Sequence, residues 1–144
     1  MGIRWKRFGE WNKCGECWAS FERGVQHSNS LSCYKVGIPV SSLKIPLKDL
    51  LKMLKEMNMV VKYSIFGPPL SLASSGIVII YFSSRDDMER FIKTISPLVK
   101  KPSLRERLFY SLFVNVEWKG GVSYRRGCPE YDRKFGDWRK WPEP

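Results

Sequence analysis

The chain has 144 residues, of which 43% are hydrophobic, 27% charged and 14% aromatic. That length suits one ordinary domain rather than two, and so much apolar mass argues against wholesale disorder. The formal net charge of +11 concentrates polyanions around the protein, which favours nucleic acid as a partner and an acidic membrane surface next.

Residues 1–31 read as an N-terminal extension. They open MGIRWKRFGE, with no apolar stretch of signal-peptide length, and Lys6 stands where a myristoylation motif after Gly2 needs Ser or Thr. The longest apolar run in the chain, residues 77–82, is far too short for a membrane span. The expectation is a cytoplasmic protein with no membrane partner. Basic residues are spread along the whole chain, so the surplus is not a tail on a neutral domain.

Residues 32–40 alternate, with Tyr34, Val36, Ile38 and Val40 on one side and Cys33, Lys35 and Gly37 on the other. A period of two predicts a strand. Pro39 lacks a ladder donor, which predicts a frayed end or an edge. Residues 46–58 predict a helix, with Leu47, Leu50, Leu51, Leu54 and Met57 as its apolar stripe. Lys44, Lys48, Lys52 and Lys55 form a basic row on another side if the helix starts early enough to include Lys44. The row reads either as a solvated face or as a phosphate-tracking ridge.

Residues 59–66 predict a second strand, stopped by Gly67-Pro68-Pro69. Residues 77–82 predict a third, apolar on both sides. Ser84 reads as an N-cap followed by Asp86, Asp87 and Glu89, which suit the positive end of a helix. Met88, Phe91, Ile92 and Ile95 give that helix its buried stripe, and Pro97 ends it. Residues 108–118 predict a long fourth strand. Gly120-Gly121 then turns the chain, and Val122–Arg126 returns as a hairpin partner.

The order from 32 to 118 is strand, helix, strand, strand, helix, strand. It predicts an α+β core of the ferredoxin-like split βαβ (βαββαβ) kind, with both helices on one face of an antiparallel sheet. The expected organisation is a single domain over 1–144: a Trp-rich extension at 1–31, the core at 32–118, and a basic aromatic extension at 119–144. A third strand that is apolar on both sides needs cover on both. The chain ends are the natural cover, since all 6 tryptophans lie outside residues 32–117 and each buries roughly 150–250 Å².

The first chemical constellation is Cys14-Gly15-Glu16-Cys17, followed by His27 and Cys33. It spells C-x2-C-x9-H-x5-C, a candidate structural zinc set of three cysteines and one histidine stapling the N-terminal segment to the first strand. Disulfides among Cys14, Cys17, Cys33 and Cys128, inert buried thiols and a redox use of the CGEC motif are the alternatives. The second constellation interleaves bases and rings: Trp5-Lys6-Arg7-Phe8, Tyr124-Arg125-Arg126 and Trp138-Arg139-Lys140-Trp141. Single-strand binders use cations for phosphates and flat rings for bases, while internal cation–π pairs are the structural counterpart.

RNA-recognition modules carry a K/R-G-F/Y-G/A-F-V-x-F/Y run on the third strand. Here that strand reads GIVIIYF, so the motif is absent, and the basic helix or the termini are the expected platforms rather than the sheet. The leading expectation is a small non-enzymatic nucleic-acid-binding accessory or regulatory protein, for DNA or RNA. Lys48, Lys52, Lys55, Arg125, Arg126, Arg139 and Lys140 would meet phosphate, and Trp138 and Trp141 would stack. The alternatives are a homodimerising interaction module that uses the apolar sheet face, and a small ferredoxin-like nuclease. No phosphate-binding glycine loop and no H-E-x-x-H is present, and His27 is the only histidine, which leaves a nuclease without a positioned partner for its base.

Overall fold

The computed structural model describes residues 3–144, except for the side chains of residues 12 and 13. Strand β1 (Lys6–Phe8) leads into helices α1 (Asn12–Glu22) and α2 (Ser28–Leu31). Strand β2 (Tyr34–Pro39), helix α3 (Leu47–Glu56), strands β3 (Val60–Ile65) and β4 (Gly76–Phe82), and helix α4 (Arg85–Ile95) follow. The chain continues through helix α5 (Leu104–Phe113), strands β5 (Glu117–Lys119) and β6 (Val122–Arg126), and helix α6 (Pro129–Phe135). The fold is mixed α+β. Its open six-stranded sheet runs β1-β3-β4-β2-β6-β5, with every neighbouring pair antiparallel. No helix among the described residues is long and apolar enough to cross a membrane.

The pleat divides the strands into two faces. Val36, Ile38, Val61, Val78, Ile80 and Phe82 point to one face, where Leu50 and Leu54 of α3 and Met88, Phe91, Ile92 and Ile95 of α4 close the main core. Both helices therefore lie on the same face, as their stripes predict. Ser84 caps α4 by accepting from the Asp87 N–H at 3.2 Å. Asn58, in the left-handed region at φ 57°, closes the end of α3 as a C-terminal cap residue does. Pro39 sits at the end of a central strand rather than at an edge. It pairs with Ile77 of β4, but β6 pairs with β2 only from Tyr34 to Gly37, so the missing donor falls where that neighbour has ended.

Residues 108–118 correct the sequence reading: the predicted long strand is mostly helix. α5 occupies Leu104–Phe113, and only Glu117–Lys119 extends, as the edge strand β5. Ser103 accepts from the Glu106 N–H at 3.2 Å, and Ser103-Leu104-Arg105-Glu106 has the S-x-x-E spacing of a capping box. The Glu106 carboxylate turns inward, taking the hydroxyls of Ser41 and, at 2.8 Å, Ser74; Ser74 shares a 2.7 Å hydrogen bond with Tyr110. That buried network fixes α5 to the start of β4. The helix does not start early enough to include Lys44: that residue precedes α3 and its N–H bonds the Leu98 carbonyl at 2.8 Å, so the helical row is Lys48, Lys52 and Lys55.

The two chain ends are integral to the molecule. β1 extends the sheet beyond β3, and both edges, β1 and β5, are three residues long, which limits edge-to-edge association. The C-terminal segment forms a third cluster of Tyr131, Trp138 and Trp141, against which Cys17, Phe21, Leu31 and Cys128 pack. Gly127 (φ +68°) admits this closure. A Cβ there would stand 2.5 Å from the Trp141 ring.

Candidate functional site

The second face of the sheet takes the alternate residues: Lys35 and Gly37 from β2, Lys62 from β3, Ile77, Ile79 and Tyr81 from β4, and Ser123 and Arg125 from β6. α5 covers one end of this face. Tyr110 packs there with Phe66, Ile77 and Val116, beside Trp5, Ile79 and Trp118. The N-terminal segment and α1 flank the other end. Between them lies a cavity of about 650 Å³, floored by the sheet and walled by Trp5, Trp11, Trp18 and Phe109, within the usual size of small-molecule pockets. Gly37 keeps the floor low. A Cβ would stand 2.6 Å from the Ser123 hydroxyl, which donates to the Gly37 carbonyl at 3.0 Å.

The cavity has an indole end and a thiol end. At the indole end, Lys62 lies 4.4 Å from the centroid of Trp5, and the Arg7 guanidinium 5.3 Å from that of Trp11. Trp11 meets Tyr81 edge-on at 4.7 Å and donates its indole N–H to the Phe8 carbonyl at 3.0 Å. Among the described residues, neither Arg7 nor Lys62 forms a salt bridge. Burial, with Lys35 and Arg7 nearby, pushes the Lys62 pKa down. Glu130 also lines the cavity.

At the thiol end, Lys35 is 7% exposed and its Nζ donates to Cys128 Sγ at 2.9 Å, while lying 5.0 Å from the Tyr81 ring centroid. Burial works against the Lys35 ammonium, but the negative charge that Cys128, Tyr81 and Cys33 can carry outweighs it and holds the pKa above its usual value. Burial raises Tyr81 above the usual phenol range. Burial, then Cys33, Cys128 and Cys14, pushes Cys17 up to about 11, and burial raises Cys14 as well. All four cysteines are thiols. Among the described residues, no three His, Cys, Asp or Glu side chains stand close enough to hold a metal ion between them.

The sequence-derived residues fall into separate places. Lys48, Lys52 and Lys55 are exposed on the outer side of α3, with Lys55 Nζ 5.2 Å from the Phe8 ring centroid. Lys140 is exposed, and Arg139 is held by the Glu117 and Asp137 carboxylates and lies over Trp138. Arg125, Arg126, Trp138 and Trp141 are buried and do not present to solvent. Arg125 makes a two-pronged ion pair with Asp132, at 2.7 and 2.9 Å. Arg126 gives its guanidinium to the carbonyls of Leu31, Trp138, Trp141 and Pro142. Trp138 donates to the Asn115 carbonyl, and Trp141 to that of Gly136. These four serve as the internal framework of the C-terminal cluster.

His27 caps α2: its Nδ1 accepts from the Asn29 N–H at 3.0 Å, and its Nε2 lies 3.9 Å from the Glu16 carboxylate. The Trp5-Lys6-Arg7-Phe8 run points to Arg7, but sequence motifs do not single out Lys35, Lys62, Trp11 or Tyr81 as site residues. The period-two pattern of β2 and β4 puts Lys35 and Tyr81 on one face, and that is the signal that points to them. Comparison with known proteins finds no match: no family model, no curated protein and no solved structure.

Proposed function

We propose that this chain is a small, non-enzymatic nucleic-acid-binding accessory or regulatory protein that seats an unpaired stretch of strand in the second-face cavity. The observation that carries the reading is the indole end. There Arg7 and Lys62, without salt bridges among the described residues, alternate with Trp5, Trp11 and Tyr81 around one opening. Cations beside phosphates and rings beside bases are what single-strand binding requires, and each stacked base contributes roughly 1–3 kcal/mol. The net charge of +11 adds long-range attraction.

The edge strand β1 links this cavity to the α3 ridge. Arg7 faces the cavity, whereas Phe8, on the opposite face, lies under Lys55. A strand leaving the cavity around β1 meets Lys55, Lys52 and Lys48. In the same reading the core is ferredoxin-like, with β6 as its fourth strand and α5 and β5 inserted before it; the order β3-β4-β2-β6 supports this. The protein is proposed to work in the cytoplasm.

Anisotropy titration of single-stranded and duplex DNA and RNA at several salt concentrations tests the reading. Single strands bind best, and affinity falls steeply with salt. Replacing both Arg7 and Lys62 by Ala lowers the slope of log affinity against log salt by about 0.7 for each phosphate that is no longer neutralised. Absence of binding to any of the four at about 50 mM salt sinks the proposal.

A second reading rests on α5. Leu104, Leu108, Leu112 and Phe113 are exposed along it at helical spacing, so homodimerisation would use this helix rather than the sheet face. A mass by light scattering that stays monomeric across concentration excludes it.

A further inference from the structure

Four cysteines from three stretches of the sequence lie near the thiol end of the cavity, which Cys14 and Cys128 line. Cys14 and Cys17 stand one turn apart on α1, so their side chains share a helix face. Cys33 precedes β2, and its carbonyl accepts the Gly127 N–H at 2.8 Å, which puts it beside Cys128. Cys128 precedes α6 and lines the same cavity as Cys14. Cys17 and Cys128 pack on the same aromatic cluster, and the Tyr131 hydroxyl donates to the Cys17 carbonyl.

We infer that Cys14, Cys17, Cys33 and Cys128 form a four-thiolate site for a single zinc ion, with Cys128 rather than His27 as the fourth ligand. Four soft sulfur ligands from three separate stretches of the chain are a closed donor set for a structural zinc, with Zn–S bonds of about 2.3 Å. Among the described residues no three such side chains already frame an ion, so the proposed site requires the thiols to close on the metal as it binds. Their protons pass to the buffer as the metal binds. A zinc held by four thiolates carries a net double negative charge, and Lys35, already donating to Cys128 Sγ, stands where it offsets this. His27 is engaged as the cap of α2. The ion would tie α1 and α6 to the sheet beneath them, so the role is structural.

The test uses the full chain, purified under reducing conditions, stripped with chelator and titrated with zinc or cobalt alone. Native mass should show one zinc per chain, and cobalt should give the intense sulfur-to-metal charge-transfer and visible bands of a tetrahedral tetrathiolate. Cys128→Ser should lower zinc affinity by tenfold or more, and His27→Ala should leave it unchanged. If Cys128→Ser does not fold, the cobalt spectrum of the unaltered chain and the His27→Ala titration still decide. Failure of the reduced chain to take up metal, a spectrum with a nitrogen ligand, or loss of binding in His27→Ala overturns the inference. So does a mass, in protein isolated without reductant, that is lower by the hydrogens of disulfides. None of these results depends on nucleic-acid binding, which is read separately.

Discussion

The two faces of the sheet are made by alternate residues of the same strands, yet they have opposite characters. Towards α3 and α4, β2 sends Val36 and Ile38 and β4 sends Val78 and Ile80, all fully buried. Towards the cavity the same strands send Lys35, Gly37, Ile79 and Tyr81. The first face is closed by two helices whose stripes match it. The second is covered only at its ends, by α5 and by the N-terminal segment, and the gap is lined with cations, rings and thiols. A face whose cover is incomplete and chemically mixed is where binding is expected, because packing alone does not account for its residues.

The largest expected effect probes the anchor at the thiol end. Asp132→Ala leaves Arg125 buried beside no carboxylate, which should cost about 3–5 kcal/mol in urea denaturation. A loss under about 1 kcal/mol would show that the backbone carbonyls of Val114, Arg126 and Gly127 satisfy the guanidinium by themselves.

Neighbouring residues then compare the faces directly. Ile80→Ala, on the helix-covered face, should destabilise by about 3 kcal/mol. Ile79→Ala, on the cavity face where the residue is already partly exposed, should cost about half as much. Equal losses would mean that both faces are packed alike, and would remove the basis for placing a site on the second.

Ser103→Ala removes the cap of α5 and should cost about 1 kcal/mol. Because α5 covers only the end of the cavity face, tryptophan fluorescence should report the change at Trp118, whose indole N–H donates to Ser111 at 3.1 Å. The smallest effect concerns Asp137. Burial pushes its carboxyl up from the usual 3.8, but the Arg139 N–H and guanidinium and Asn115 outweigh this and hold it below that value. A depressed folded value gives stability that is present above the unfolded pKa and lost as pH falls through the folded one. Asp137→Asn should therefore lower Tm slightly near neutral pH, and the gap should close on acidification below about pH 4.

Much of the main core is legible in the sequence. The stripes of α3 and α4, the Ser84 cap and the alternation of β2 lead directly to the observed packing, since each follows from local spacing. The misreading of residues 108–118 has a local cause as well. Phe109, Tyr110, Phe113 and Val114 have high strand propensity, which masks the Ser103–Glu106 cap spacing that starts a helix. Arg125, Arg126, Trp138 and Trp141 look like a surface recognition motif, because sequence does not distinguish a guanidinium that caps carbonyls from one that waits for phosphate.

By itself the sequence determined the charge surplus, the period of each core element and the need for cover on a strand apolar on both sides. Those are properties of residues close together in the chain. Tertiary structure alone decided which segments supply the cover and which bases remain in solvent. The physical reason is range: these outcomes depend on contacts between residues as many as 114 positions apart, such as Tyr131 with Cys17, and the strand order that makes them is set by the whole sheet.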